Sequence, residues 1–117
     1  MSATYYLDGL ASEIHAENVE RGFFDDRDPS DPHHLLAMHM LICTEIAECT
    51  EEVRRPGAVP PMSDKIPDFT TEEEEMADAI IRCLDYVAFR DLRIGAAIEA
   101  KRAFNKTRGY RHGGKRA

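Results

Sequence analysis

Two pairs of acidic residues stand out in this sequence, because the members of each pair are three residues apart within a helix-like segment. Glu45 and Glu48 form the first pair, and Glu75 and Asp78 form the second. Residues i and i+3 of an α-helix share a face, with Cβ atoms roughly 5–6 Å apart. If the two helices pack against each other, the four carboxylates can point into one volume.

Four carboxylates in one volume would repel one another and raise each other's pKa unless a cation neutralised them. Hard oxygen ligands, without His or Cys, suit Mg²⁺ or Mn²⁺ rather than zinc or copper. Magnesium completes its coordination shell with water and substrate phosphate, which is the arrangement that phosphoryl chemistry needs. A di-iron helical bundle would require Glu-x-x-His pairs, and the sequence contains none.

The same acidic residues also have a simpler interpretation. The run from Glu72 to Glu75 could be a solvated first turn of a helix, where acidic side chains interact favourably with the helix dipole. Glu45 and Glu48 fit this interpretation less well, because their segment is otherwise apolar from Leu35 to Cys49. Spacing alone leaves both interpretations open.

Hydrophobic periodicity predicts four helices and almost no strand. Their expected spans are about Thr4 to Arg21, about Pro32 to Arg55, about Thr71 to Leu92, and about Ile94 to Thr107. Gly22 should end the first helix, Asp31 before Pro32 should open the second, and a capping box of Thr71 and Glu74 should open the third. In the fourth helix, Ile98 and Phe104 are predicted to face inward. The predicted fold class is all-α, as an antiparallel four-helix bundle.

The length of 117 residues fits a single domain over residues 1–117. A chain of this size has a poor surface-to-volume ratio, so we expect homo-oligomerisation to complete its core. No apolar stretch approaches the roughly 20 residues that span a bilayer. The N-terminal segment also lacks the pattern of a secretory signal, so no membrane association and a cytoplasmic location are expected. The three cysteines, Cys43, Cys49 and Cys83, are predicted to be buried thiols.

Charge is distributed unevenly along the chain, whose net charge is −7. All 22 acidic residues precede residue 101, whereas the charged residues after it are all basic and extend into a tail at 109–117. An acidic body with a basic end suits a phosphate clamp over an acidic metal site, or a nucleic-acid arm. Only Phe104 and Tyr110 could stack on bases there, so nucleic-acid binding is the weaker expectation.

Several motifs together carry a resemblance to a known family. Glu45-Ile-Ala-Glu48 and Glu75-Met-Ala-Asp78 form the pattern E-x-x-E, a gap, and E-x-x-D; ADAIIRCLD follows directly, and KRAFNKTRGYRHGGK lies at the C-terminus. This combination resembles the MazG-like nucleotide pyrophosphohydrolases of the all-α NTP pyrophosphatase superfamily, over about residues 15 to 116. The ending is similar to the K-x-x-x-N-x-x-R-x-x-x-H-G-G-K close of small stand-alone and phage-type members.

The resemblance implies Mg²⁺-dependent hydrolysis of a nucleoside triphosphate to the monophosphate and pyrophosphate, as house-cleaning of the nucleotide pool. It also implies a homo-dimer or homo-tetramer with sites between helices. The implied metal ligands are Glu45, Glu48, Glu75 and Asp78. The implied phosphate-binding residues are Lys101, Asn105 and Arg108, together with His112 and Lys115 of the tail.

The residue that would activate water is less defined. Many members of the family carry a further Glu immediately before the first pair, where this chain has Thr44. Either Glu45 or Glu48 would then be the catalytic base, or hydroxide would form at the metal without a dedicated base.

Further candidates accompany this site. Arg82 and Asp85 follow Asp78 by four and seven residues, so both share its face and could form an ion pair behind the ligands or contact substrate. Phe23 and Phe24 could stack on a nucleobase, although packing in the core or an interface is the favoured expectation. The alternative functions are a non-catalytic partner-binding helical module that retains an acidic face, and a phosphoribosyl-ATP pyrophosphohydrolase. The sequence does not select a base or a sugar.

Overall fold

A computed structural model of the chain describes residues 3–57 and 60–109. The described residues form four α-helices: α1 (Ala3–Glu20), α2 (Pro32–Arg54), α3 (Thr71–Phe89) and α4 (Ile94–Lys106). They contain no strand, and their one isolated β-bridge joins Met62 to Thr70. The predicted all-α class is confirmed. The predicted helix spans agree to within a few residues, the largest difference being that α3 ends at Phe89 rather than near Leu92.

The first helix ends where glycine permits a left-handed turn. Gly22 has φ +83°, a conformation that favours glycine because it lacks a Cβ atom. The Gly22 amide donates to the carbonyl of Val19 at 3.0 Å, and the Phe23 amide donates to the carbonyl of Asn18 at 3.1 Å. The chain therefore reverses directly after α1, which brings Phe23 and Phe24 back beside this helix.

The start of α3 has a capping box, one residue earlier than predicted. Thr70 is the N-cap; its hydroxyl accepts from the Glu73 amide at 3.1 Å, and the Glu73 carboxylate accepts from the Thr70 amide at 3.0 Å. The predicted box at Thr71 and Glu74 is wrong because these side chains have distant partners. The Thr71 hydroxyl donates to Glu52 on α2 at 2.8 Å, and Glu74 turns toward the preceding loop.

The arrangement centres on α3, which packs against α2 and against α1, while α4 packs on α1. Two contacts give the relative direction of α2 and α3. Glu52, near the C-terminus of α2, meets Thr71 at the first residue of α3. Glu45, two turns earlier in α2, meets Arg82 much further along α3. These two helices are therefore antiparallel.

The apolar core is small and lies between α1 and α3. Its buried members are Ala11, Ile14, Leu84 and Val87, and the partly buried side chains of Leu7, Ala88 and Ile94 pack against them. The Cα radius of gyration is 17.1 Å, compared with about 13 Å for a compact domain of this length. The single chain is therefore an open assembly of helices. The closed bundle and its completion by oligomerisation stay predictions.

Many large apolar side chains are exposed in this open arrangement. Phe104 is 57% exposed, so the prediction that it faces inward is wrong: α4 contacts α1 along a face that excludes it. Cys49 is buried as predicted, but Cys43 and Cys83 are exposed, because they lie on helix faces that no other helix covers. No helix within the described ranges is long and apolar enough to cross a lipid bilayer.

Helix α4 approaches α1 closely at Gly95, which is buried. The Gly95 amide donates to the Asp8 carboxylate at 3.0 Å. A Cβ atom at this position would lie 2.7 Å from the backbone carbonyl oxygen of Thr4 and 2.5 Å from the Asp8 carboxylate. The contact between α1 and α4 therefore requires glycine here.

We expect Gly95→Ala to lower the free energy of unfolding by about 1–3 kcal/mol, because the added methyl group forces two backbones apart. Gly9→Ala is the matched control, since nothing lies within 4 Å of a Cβ atom at Gly9 in the exposed face of α1. That change should raise stability by about 0.5–1 kcal/mol through helix propensity. Urea unfolding followed by circular dichroism measures both. Equal effects of the two substitutions would contradict the close approach.

Candidate metal site and adjoining cavity

The four predicted carboxylates converge between α2 and α3. Oxygen atoms of Glu45, Glu48 and Glu75 all lie within 4.8 Å of one another, and so do oxygen atoms of Glu74, Glu75 and Asp78. The two groups share Glu75, which joins them into one cluster. The antiparallel packing of the helices produces this arrangement, because it sets the E-x-x-E face of α2 opposite the E-x-x-D face of α3. Glu74 is a fifth member that the sequence interpretation did not include.

Glu75 occupies the most constrained position in this cluster. Its Oε2 atom is buried and has no hydrogen-bond partner in the described part of the chain. The pKa of Glu75 is raised to about 7, chiefly by burial, and also by a hydrogen bond with Glu48 and by the charges of Glu48, Asp78 and Glu45. Burial disfavours the charged carboxylate because water no longer solvates it, and neighbouring negative charges act in the same direction.

Asp78 has a raised pKa for related reasons. Burial is the largest cause, followed by the charges of Glu45 and Glu74, while Lys65 and Arg82 oppose the increase. The cluster is thus crowded with negative charge that nearby basic residues only partly compensate.

Arg82 is the main basic partner inside the site. Its Nε atom donates to Glu45 Oε1 at 2.7 Å, and Glu45 is only 8% exposed. The contact joins α3 to α2 beside the carboxylate cluster. The sequence prediction that Arg82 shares the acidic face is consistent with this position, and the ion pair that Arg82 forms is with Glu45.

The loop before α3 is held against the cluster through Ser63. This residue is buried, and its hydroxyl donates to Glu74 in a very short contact while accepting from the amides of Lys65 and Ile66 at 3.1 Å each. Lys65 Nζ consequently lies 3.9 Å from Glu74 Oε2. The hydrogen bonds of Ser63 were not predicted from the sequence. The local signal was weak: a serine hydroxyl can accept from backbone amides two or three residues later in a loop.

A cavity of about 490 Å³ opens directly beside the carboxylates. Its lining comes from α1, the following turn, α2 and α3: Asn18, Phe23, Phe24, Arg27, Met38, Leu41, Glu45, Asp78, Ile81, Arg82 and Asp85. Volumes of this size accommodate small organic ligands, and a mainly apolar wall with a few polar groups is typical of such sites. The carboxylate cluster and the cavity share Glu45 and Asp78, so a ligand in the cavity would reach the acidic residues.

The polar wall of this cavity is an ordered network around Asp85. His15 Nδ1 lies 2.8 Å from Asp85 Oδ1, and Asn18 Nδ2 donates to Asp85 Oδ2 at 2.9 Å. Arg21 in turn donates to Asn18 Oδ1 at 2.7 Å. Asn18 and Asp85 are both 9% exposed. Asp85 was a predicted site residue, whereas His15 and Asn18 were missed; their i, i+3 spacing on α1 was the available signal.

The aromatic residues after α1 form another side of the cavity. Phe24 packs against the rings of His15 and Phe89, with centroids 4.6 Å and 4.7 Å away. Phe23 is 62% exposed and lies under the guanidinium of Arg21 at 5.5 Å. Phe24 thus has the packing role that the sequence favoured, whereas Phe23 presents an accessible ring to the cavity.

The predicted phosphate-binding residues of α4 lie elsewhere in the single chain. Lys101, Asn105 and Arg108 are exposed on or directly after a helix that packs on α1, and none of them is among the described residues lining the cavity. Lys101 Nζ instead lies 4.8 Å from the centre of the Phe104 ring. His112 and Lys115 lie outside the described residues.

The donor set of the cluster fits a hard divalent cation. All candidate ligands are carboxylate oxygens, which Mg²⁺ and Mn²⁺ prefer. Within the described ranges, the buried Oε2 atom of Glu75 has no hydrogen bond, although a buried carboxylate oxygen normally has one. A cation would supply this missing partner and would offset both the burial and the neighbouring negative charges that raise the pKa of Glu75.

No family model, curated protein or solved structure matches this chain. The family resemblance is therefore carried by the sequence motifs alone, and its functional content is a proposal.

The raised pKa of Glu75 predicts a specific pH dependence of stability in the cation-free protein. The folded value is about 7 and the ordinary value is 4.5, so the folded state binds more protons than the unfolded state between these values. The contribution of Glu75 to the free energy of unfolding therefore falls as pH rises from about 4.5 to about 7 and is constant above. The stability of Glu75→Gln relative to the natural chain should increase over this window.

Urea unfolding in the presence of a chelator, at intervals from pH 5 to pH 8, measures this difference. Glu51→Gln serves as the control, because Glu51 lies exposed on α2 and pairs with the exposed Arg54 at 3.4 Å. A stability difference for Glu75→Gln that does not change with pH would contradict the assignment.

Proposed function

We propose that this chain is a Mg²⁺-dependent nucleoside-triphosphate pyrophosphohydrolase that removes unwanted nucleotides from the cytoplasmic pool. The observation that carries the proposal is the buried oxygen of Glu75, which lies among Glu45, Glu48 and Asp78 and has no hydrogen-bond partner among the residues that the structure describes. Burying like charges together costs stability unless something compensates them. A divalent cation bound with a triphosphate is the compensation that accounts for both the cluster and the adjoining cavity.

Glu45, Glu48, Glu75 and Asp78 would hold the cation, and Mn²⁺ could replace Mg²⁺. When bound, such a cation supplies positive charge beside the triphosphate and makes a water molecule more acidic. The overall reaction adds water across the anhydride bond between the α and β phosphates. The bond from the α phosphorus to the bridging oxygen breaks, and pyrophosphate leaves with that oxygen.

The chain's own side chains have separate roles in this proposal. Glu48 is exposed and forms no ion pair within the described residues, so it is the proposed acceptor of the proton from water. Glu45 is instead held by Arg82 at 2.7 Å, which fixes its orientation. Arg82 and Arg27 line the cavity and would face the phosphates, where guanidinium groups bind well.

The basic residues of α4 would bind phosphate in the cavity of a second copy of the chain. Lys101, Asn105 and Arg108 match the basic segment that the family resemblance assigns to phosphate binding, but α4 packs on α1 of its own chain. In a homo-oligomer these residues would reach the cavity of the neighbouring copy. The proposed assembly is a dimer or tetramer that closes the helices into a bundle.

We expect Glu48→Gln and Asp78→Asn to lower pyrophosphate release by about 100-fold or more, because each removes a proposed ligand or base. Helical content should be unchanged, since neither substitution alters the apolar core. A coupled assay for pyrophosphate with the common nucleoside triphosphates and Mg²⁺ measures turnover, and circular dichroism measures helicity. Glu51→Gln should retain full activity. Undiminished turnover in either site variant would refute the assignment.

The proposed assembly draws its support from the exposed apolar side chains of α2 and α3. They include Leu36, Met40, Met76 and Ile80. A monomer rarely leaves so many large apolar residues in water without a partner surface. A core completed between copies would also offset the small apolar cluster of the single chain.

We expect Met40→Glu to shift the protein toward the monomer, because Met40 is 61% exposed and a charge there would be buried at the proposed interface. Light scattering coupled to size-exclusion chromatography gives the mass in solution. His33→Glu is the control: it introduces the same side chain on α2 at a position whose side chain is 93% exposed. A monomeric natural chain, or equal masses for both variants, would contradict the proposed interface.

A further inference from the structure

The cavity extends away from the carboxylates along one face of α3. Asp78, Arg82 and Asp85 all line it, and the seven residues from Asp78 to Asp85 correspond to about 10 Å along the helix axis. Asp78 belongs to the acidic cluster, whereas Asp85 belongs to the network on α1. A nucleotide with its phosphates at Asp78 would therefore extend its base toward Asp85.

Asp85 presents a fixed hydrogen-bond acceptor to this far end. His15 and Asn18 each contact one of its two oxygens, at 2.8 Å and 2.9 Å, so the orientation of the carboxylate is set from α1. Each oxygen of a carboxylate can accept a further hydrogen bond, and an ionised carboxylate has none to donate. The wall that Asp85 contributes therefore favours a ligand edge that carries N–H donors.

The exposed ring of Phe23 supplies a flat apolar surface to the same cavity. Aromatic side chains stack on nucleobases without regard to base identity, because every base has a π face. Stacking on Phe23 would therefore orient a base without selecting it. Selection would come from the polar edge.

We propose that this cavity is the base-binding pocket of the enzyme and that Asp85 selects nucleobases bearing an exocyclic amino group. The inference rests on the proposed pyrophosphohydrolase function. An amino group, as in cytosine or adenine, donates directly to a carboxylate oxygen. Uracil and thymine present a ring N–H between two carbonyl oxygens, and hypoxanthine presents a carbonyl where adenine has its amino group. A carboxylate placed to accept from the amino group of cytosine or adenine would face a carbonyl oxygen at the same position of these bases, which leaves two buried acceptors unpaired.

Matched nucleotide pairs test this selection. Deoxycytidine and deoxyuridine triphosphates form one pair, and adenosine and inosine triphosphates form the other; each pair differs by an amino group against a carbonyl. We expect kcat/KM to favour the amino member by about 10-fold to 100-fold in each pair that is hydrolysed. Equal use of both members, or preference for the carbonyl member, would overturn the proposal.

Asp85→Asn changes the acceptor into a group that can also donate, and it should reduce the preference to near unity while pyrophosphate release continues. Asp91→Asn is the matched control, because Asp91 is exposed, lies outside the cavity, and has a φ of 52° that Asn tolerates. The control should retain the full preference. A preference that persists in a folded Asp85→Asn protein would overturn the role of Asp85.

Phe23→Ala provides a second variant that does not depend on the tolerance of a buried position. It should raise KM for all nucleotides while leaving the ratio between amino and carbonyl members unchanged. A changed ratio, or an unchanged KM, would contradict stacking in this cavity.

Failure of the proposed function gives a different result from failure of this inference. Absence of pyrophosphate release from every nucleotide would refute the pyrophosphohydrolase function itself. Binding of deoxycytidine and deoxyuridine monophosphates, measured by calorimetry, needs no turnover and tests the pocket separately. Tighter binding of the cytidine nucleotide supports the inference, and equal or absent binding overturns it.

Discussion

The repulsion among carboxylates between α2 and α3 is the constraint on which the rest of the structure depends. The four predicted acidic residues, with Glu74, are brought together by the packing of two antiparallel helices, although like charges oppose that packing. Arg82 on Glu45 and Lys65 near Glu74 each supply a positive charge at one side of the cluster. Neither forms a hydrogen bond with the buried oxygen of Glu75 among the described residues, and the pKa of Glu75 is raised by burial first and by the neighbouring negative charges as well.

This constraint also explains the division of the molecule into two regions along α3. The apolar core lies between α1 and α3, where Ile14, Leu84 and Val87 pack together. The half of α3 nearer its N-terminus contributes Glu74, Glu75 and Asp78 to the acidic cluster. The packed apolar cluster and the acidic cluster therefore involve different parts of α3. The exposed apolar faces of α2 and α3 leave surface for further packing that a single chain does not supply.

The sequence predicted the structure well wherever a local residue pattern determines it. The helices followed from apolar periodicity, and the convergence of the acidic pairs followed from their i, i+3 spacing. The register of the α3 cap could not be predicted, because Thr71 and Glu74 are drawn to Glu52 and Ser63, which are distant along the chain. Which of two adjacent threonines caps a helix depends on these tertiary partners.

Predictions about inward-facing residues depended on assuming a closed bundle. Cys43, Cys83 and Phe104 have helical positions that a closed bundle would bury, yet they are exposed in the single chain. The network of His15, Asn18 and Asp85 was not predicted from the sequence, for a different reason. Asp85 lies more than sixty residues after His15 and Asn18, and the spacing of these two residues on α1 does not identify their partner on α3.

The turn after α1 is a different segment from the helices that carry the acidic cluster. The acidic residues lie within two packed helices, whereas Phe23 and Arg27 lie in a segment whose course is set by Gly22 at φ +83°. Segments of this kind tolerate changes of sequence and length better than the helices they join. Substitutions in the turn could therefore reshape the cavity while the α2–α3 pair stays intact. Divergence of ligand preference among descendants of this fold would then require few mutations and little loss of stability.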